Sequence, residues 1–343
     1  MTIKDLAAIT GYAVGTVSRA LNDHPNVSDK ARKTILQAAE EYGFQLNVNA
    51  KQLKQTSSNI ILVIVKGTGN EFFSEMLEYL QPLVARTRYQ LVVDYLDEDS
   101  NEVIRAVQLC REKKPLGILF LGGNTKNFAA DFDKIDIPCV EVTNDASALA
   151  YTNLSSVTTN DREAARCAID TLVAAGHRKI AVIGGDRNTS DISRLRYEGC
   201  CLSFAENGIS FDSETDYQGA RFSCADGYNA TRQLLKNGSE YTAIFAISDV
   251  MAIGAIRALW EVGKKVPEDV SIIGLDGLPL GKYLVPQLST VQQDFRTIVL
   301  RSLEILLNSI EDGTPAKHET VPFQVQRRES IRSLRKQRRD NHA

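Results

Sequence analysis

The sequence predicts an α/β protein with two doubly wound parallel-sheet subdomains, preceded by a small all-helical unit. Three observations carry that reading. Solid apolar runs recur at Ile60–Val65, Leu91–Tyr95, Gly117–Leu121, Cys139–Val142, Ile180–Ile183, Ala243–Ile247 and Ser271–Leu275. Runs of this kind fit parallel strands buried on both faces. Helical stretches lie between them, around 74–88, 101–113, 161–175, 193–207, 225–237 and 250–262. Strands alternating with such helices mean βαβ units. The runs are too many for one comfortable sheet, and the pattern restarts near Thr158. Two subdomains with a cleft between them follow, and a ligand there would meet residues just after the strands.

The first forty-odd residues read differently. Thr2 and Asp5 have the spacing of a capping box, so a first helix starts at Ile3 with Leu6, Ala7 and Ile9 on its apolar face. Gly11 supplies the left-handed residue that ends it. A second helix from Val14 to Leu21 turns Val17, Ala20 and Leu21 inward. Its other face holds Gly15, Thr16, Ser18, Arg19 and Asn22, short or hydrogen-bonding residues that suit a helix laid in the DNA major groove. A surface hairpin that binds nothing fits this spacing about as well. The third helix favours the DNA reading, because it completes a small bundle: Ser28 caps it, Ala31, Ile35, Ala38, Ala39 and Tyr42 recur at helical spacing, and Gly43 stops it.

Charge agrees with contact to a polyanion at one end. The net charge of −3 hides +2 over residues 1–58, +5 over 327–343 and about −10 between them. No signal peptide opens the chain, and its longest apolar run, Ile60–Val65, is too short to span a membrane. A cytoplasmic location and no membrane partner are expected. The cysteines at 110, 139, 167, 200, 201 and 224 show no CxxC spacing, and the four histidines show no ligand spacing. They read as a reduced protein without metal or cofactor. An enzyme is not indicated: Lys66-Gly-Thr-Gly lacks the Walker continuation, and no Gly-x-Ser-x-Gly elbow is present.

Thr-Ile-Lys-Asp-Leu-Ala at 2–7, Gly-Thr-Val-Ser-Arg-Ala-Leu-Asn at 15–22 and Val27-Ser28 together resemble the headpiece of the lactose-repressor (LacI/GalR) family of bacterial transcription regulators. The resemblance implies a helix-turn-helix headpiece over 1–46 and a hinge helix over 47–58. It implies an effector-binding and dimerisation core of the periplasmic-binding-protein type over 59–330, and leaves a basic tail over 331–343. It places DNA contacts at Thr2, Val14, Gly15, Thr16, Ser18, Arg19 and Asn22, and hinge contacts at Asn47, Ala50, Leu53 and Lys54, with Leu53 as a minor-groove wedge. Two departures stand out: Ala13 where the family usually has a capping Ser, and Leu46 where most members have Pro.

For the cleft, strand-end chemistry and the resemblance together point to Phe72, Phe73, Asn160, Arg196, Phe222, Asp249, Asp276, Gln293 and Phe295. A cation and two carboxylates on both sides of a cleft would clamp vicinal hydroxyls through charge-assisted hydrogen bonds. Asn160-Asp161 reverses a pair the family commonly shows, and Thr143-Asn144 replaces another. The run Gln293-Asp294-Phe295-Arg296 is one that a family member carries at a crossover between subdomains. The implied function is an operator-binding homodimer, acting as a repressor, whose DNA affinity responds allosterically to a sugar or glycoside. The alternatives are a nucleobase corepressor or protein partner, or a cytoplasmic sugar-binding protein. Beyond Ser330 no leucine heptad appears, so a dimer and a solvated, disordered basic tail are expected.

Overall fold

The computed structural model describes residues 2–21, 26–44, 58–236 and 240–335. They fall into two compact units, Met1–Ser58 and Asn59–Ala343.

In the first unit, α1 spans Ile3–Thr10, α2 Val14–Leu21 and α3 Asp29–Glu41. Each boundary has a local cause. The Asp5 amide donates to the Thr2 side chain while the Thr2 amide donates to the Asp5 carboxylate at 2.7 Å. The same hydrogen bonds from Thr2 hold the Asp5 carboxyl below its ordinary value. Gly11, at φ 73°, ends α1 in the left-handed region. The Ala31 amide donates to Ser28 at 3.4 Å and starts α3. Leu6, Val17, Ala20, Val27, Ala31 and Ile35 fill the space between the helices. Ile9 and Tyr42, expected inside, are 47% and 53% exposed. Three helices this short cover only one narrow stripe each, and Ile9 lies off it. Tyr42 is already the residue that caps α3.

The second unit holds two sheets. The first comprises β1 Ile60–Lys66, β2 Gln90–Leu96, β3 Gly117–Leu121, β4 Cys139–Val142, β5 Leu154–Thr158 and β11 His318–Thr320, in the order β11-β5-β4-β3-β1-β2. The second comprises β6 Ile180–Gly184, β7 Tyr217–Gly219, β8 Ala243–Ala246, β9 Ser271–Asp276, β10 Ser289–Gln293 and β12 Phe323–Gln326, in the order β12-β10-β9-β8-β6-β7. Pairing is parallel except for β12, which runs antiparallel to β10. The helices are α4 Glu71–Val84, α5 Glu102–Lys113, α6 Thr125–Asp131, α7 Asp161–Ala174, α8 Asp191–Glu206, α9 Cys224–Lys236, α10 Asp249–Glu261 and α11 Phe295–Asp312.

Strand β1 shows why the apolar runs are unbroken. Ile61, Val63 and Val65 pack on one face with Met76 and Leu80 of α4 and Ile298 and Leu306 of α11. Leu62 and Ile64 pack on the other with Val103, Phe120, Phe128 and Phe132. With helices on both faces, alternation has no place. The strands that sequence reading misses are β5, β7, β10, β11 and β12, and most of them are rich in polar residues. Their hydroxyls find partners in segments remote in sequence: Lys317 N donates to Ser155 Oγ at 3.0 Å and Arg328 N to Ser289 Oγ at 2.9 Å. The helices α6 and α11 were likewise not expected.

The chain passes between the subdomains after β5, after β10 and after β11. The second of these passages is at Asp294, which caps α11 by accepting from Thr297 N. The tail departs from expectation. Ile331 is buried, Leu334 N donates to Ala175 O at 2.8 Å, and Arg332 O lies 3.1 Å from Nε2 of the fully buried His177. Residues through Arg335 are therefore pinned to the second subdomain, and 336–343 lie outside the described residues. Among the described residues no helix is long and apolar enough to cross a membrane.

Candidate functional site

The two sheets repeat one order, 2-1-3-4-5 from the subdomain's own first strand, and each reverses direction between its first and third strands. A crevice opens where neighbouring crossovers go to opposite faces. Lys66 ends β1 and Gly67 follows it, Gly122 and Gly123 follow β3, and Gly185 follows β6. All of them line one cleft of about 1080 Å³, ample for a mono- or disaccharide. Backbone comes close to side chains here. A Cβ on Gly122 would sit 2.8 Å from the Phe73 ring, so only glycine lets that ring lie against the floor. Two non-glycine residues at positive φ also line the cleft, Thr143 at 86° and Asp276 at 122°. Such conformations cost about 1–3 kcal/mol each and collect at functional sites.

One wall is a buried charge cluster. Arg196 of α8 donates through Nε to Asp161 at 2.7 Å and through one terminal nitrogen to Ile247 O at 2.5 Å. That nitrogen also lies 3.6 Å from Asp276, which in turn accepts from Gln293 at 2.9 Å. Burial pushes the Asp276 carboxyl up to about 7, against the pull of Arg196. Burial raises Asp161 as well. Arg196, Asp276, Gln293, Phe72, Phe73 and Phe222 all line the cleft.

Three expected contacts do not. Asp249 is fully buried beneath it: its carboxylate accepts from Gly277 N and Leu278 N at 2.9 and 2.7 Å and from Thr290 Oγ1 at 2.7 Å. It shapes the turn after β9, and burial pushes it up to about 8. Asn160 is exposed and caps α7 by accepting from Glu163 N; its neighbour Asp161 reaches Arg196 instead. Phe295 packs edge-on to Phe72 and Tyr79, with ring centres 6.4 and 6.3 Å away, behind the lining. The clamp also does not span the cleft. Arg196, Asp249 and Asp276 all belong to the second subdomain, so the Arg196–Asp276 contact is internal to it.

What does join the subdomains was not foreseen. Asp191 of α8 accepts from Thr125 N and Oγ1 at 2.9 and 2.5 Å, at the start of α6. Asn124 donates to Thr189 O, and Lys126 donates to Asn188 O at 2.8 Å. At the other end Arg221 contacts Asp97 at 2.7 Å, Glu98 at 2.8 Å and Asp99 at 3.7 Å. These residues sit in loops or at the first positions of helices, where no periodicity marks them. Their one signal is their place just past strand ends. The opposing wall has Lys66 paired to the buried Glu102 at 2.8 Å. Behind it Glu141, fully buried, is raised well above the carboxylate range by burial.

In the first unit, Val14, Gly15 and Arg19 are exposed, while Thr16 and Ser18 are half-buried on the same helix. Arg19 Nε donates to Gly15 O at 3.1 Å, which lays the guanidinium along α2. Thr2 is exposed at the start of α1. Asn22, Asn47, Ala50, Leu53 and Lys54 lie outside the described residues.

A sequence profile described as bacterial regulatory proteins, lacI family, matches residues 2–47, and one described as periplasmic binding protein-like domain matches 169–331. The regulator MalR of Clostridium butyricum is 32% identical over 333 residues, covering 96% of this chain and 99% of the relative. The ribose operon repressor of Halalkalibacterium halodurans is 30% identical and covers 90% of each chain. Among solved structures, a lac repressor dimer bound to operator and the anti-inducer ONPF superposes with a TM-score of 0.72 at 25% identity, over 97% of this chain and 99% of that one. A CelR–cellobiose complex shares the fold, with a TM-score of 0.71 at 23% identity, over 96% of this chain and 99% of that one.

Proposed function

Because this chain belongs to the lacI family of bacterial regulatory proteins and is a DNA-binding transcription regulator, we propose that a small-molecule effector of the sugar class, bound in the core cleft, sets its affinity for operator DNA. The observation that carries this is the cleft itself. Arg196, Asp276 and Gln293 form a polar wall, and the aromatic residues Phe72, Phe73 and Phe222 line the same space. Ring faces stack on the C–H face of a pyranose, and charged groups take its hydroxyls.

The DNA partner would be read by Val14, Gly15 and Arg19, with Thr16 and Ser18 beside them and Thr2 toward the backbone. Asn22 and the segment over 47–58 would add the remaining contacts. The working form would be a cytoplasmic homodimer, matching a two-fold operator. Leu280, Tyr283 and Val285, which are 49%, 82% and 95% exposed, supply apolar surface a second copy would cover. Effector binding favours one arrangement of the two subdomains, and the balance shifts only by the ligand's differential affinity for the two states. Coupling of about 1–3 kcal/mol would be ordinary.

The test is an operator complex titrated with sugars, using Asp276→Asn and Arg196→Ala beside the wild type. Release of DNA by a sugar in the wild type and not in the variants supports the proposal. A normal response in either variant removes that residue from the site.

A further inference from the structure

Most cations of the cleft are already neutralised. Lys66 faces Glu102 at 2.8 Å, Arg196 faces Asp161 at 2.7 Å and Arg221 faces Asp97 at 2.7 Å. Arg187 is different. It lines the cleft two residues past Gly185, yet among the described residues no carboxylate lies within ion-pair distance of it. What holds it is a corner of two tyrosines. Its guanidinium carbon lies 4.3 Å from the Tyr197 ring centre and 4.8 Å from that of Tyr217. Those rings meet edge to face at 5.3 Å, and the Tyr217 hydroxyl donates to Gly185 O at 2.6 Å, so the corner is anchored to the cleft floor.

A guanidinium stacked on ring faces keeps its in-plane N–H donors available, because the rings take up its flat side. The stacking also fixes a side chain that would otherwise lose rotamer freedom on binding a ligand. The nearby carboxylates Asp186 and Glu214 are exposed, where water screens them. An ordered, unneutralised guanidinium on the wall of a cavity is built for a planar or tetrahedral oxyanion.

We propose that Arg187 selects for an anionic effector, a monosaccharide bearing a carboxylate or phosphate group. Its oxyanion docks on Arg187 while its hydroxyls reach the Asp276–Gln293 wall. This rests on the reading of the cleft as the effector site.

Calorimetric titration of the full-length protein with glucuronate, galacturonate and glucose 6-phosphate, each against glucose or galactose, tests it. At least one acid should bind about tenfold to a hundredfold more tightly than its neutral parent, the size of a charge-assisted hydrogen-bonded contact. The sugar acids and the phosphate ester separate carboxylate from phosphate as the group recognised. Arg187→Gln should bring the acid-to-neutral ratio to about one, and Arg187→Lys, which keeps the charge but not the fork, should retain part of it. Neutral parents binding as tightly as every acid, no acid binding, or an unchanged ratio in Arg187→Gln would overturn the assignment. Asp276→Asn separates the two levels of failure. If it weakens neutral sugars that the acids do not outcompete, the cleft reading stands and only the selectivity fails. If it leaves every bound sugar unaffected, the cleft reading fails too.

Discussion

Arg196→Ala should cost stability in a way that depends on pH. The guanidinium is 5% exposed, and its removal leaves Asp161 and Asp276, 3% and 4% exposed, without their cation. Breaking a buried pair from one side costs about 3–5 kcal/mol when the remaining charge cannot escape. Here it can escape by protonation. In the wild type Asp276 titrates at about 7, well above its ordinary 3.8, because it is buried. The folded state therefore holds a proton that the unfolded chain has released, and stability falls as pH rises through that window, levelling off above about 7. Without Arg196 the proton stays on to higher pH, so the fall continues where the wild type has levelled. Between pH 7 and 8 the variant should lose about 1.4 kcal/mol for an Asp276 carboxyl still protonated, about 1 kcal/mol more than the wild type, whose Asp276 is completing its ionisation over the same interval. At pH 6, where Asp276 is largely neutral in both, the gap should be smaller, and what remains is the lost ion pair with Asp161 and the lost hydrogen bond to Ile247 O. Urea unfolding followed by far-UV circular dichroism at pH 6, 7 and 8 measures this. A stability difference that is the same at all three pH values would refute the argument.

Arg19→Ala should weaken specific operator binding by about 1–3 kcal/mol, the worth of a bidentate base contact, and change non-specific binding much less; gel shifts on operator and scrambled DNA at one salt concentration would show whether the two fall together, as a phosphate contact requires. Arg221→Ala removes a half-exposed cation from Asp97, Glu98 and Asp99 across the cleft mouth. Effector affinity should drop about threefold to fivefold at low salt, and the difference should vanish toward 1 M salt; a salt-independent loss would mean another mechanism. Gly254→Ala probes the close contact of α9 with α10, where a Cβ would run into the backbone of Cys224 and Tyr228. Helix propensity alone would gain about 1 kcal/mol, but overpacking costs about 1–3 kcal/mol or more, so the melting temperature should fall; a rise would show that the helices can separate freely.

The parallel strands buried on both faces, the helices between them and the capped headpiece helices were legible from sequence. Their signals are local: an unbroken apolar run, a capping residue, a glycine where the chain must turn left-handed. The strand ends could be read from the same pattern, which is why Phe72, Phe73, Arg196 and Asp276 could be named as candidates from sequence, whereas Gln293, at the end of the unforeseen β10, came only from the family resemblance of its tetrapeptide. What sequence could not supply was the direction and company of each side chain. Asp249 and Asp276 both stand at strand ends, yet one is consumed by two backbone amides and Thr290 while the other opens onto the cleft. Polar strands such as β5 and β10 carry no apolar signature, because their hydroxyls are satisfied by backbone and side-chain partners distant in sequence. Arg187 becomes informative only once Tyr197 and Tyr217, ten and thirty residues on, are folded against it. Local sequence thus determined the elements and their order. Tertiary structure alone decided which charges were neutralised, since that depends on contacts between residues far apart in the chain.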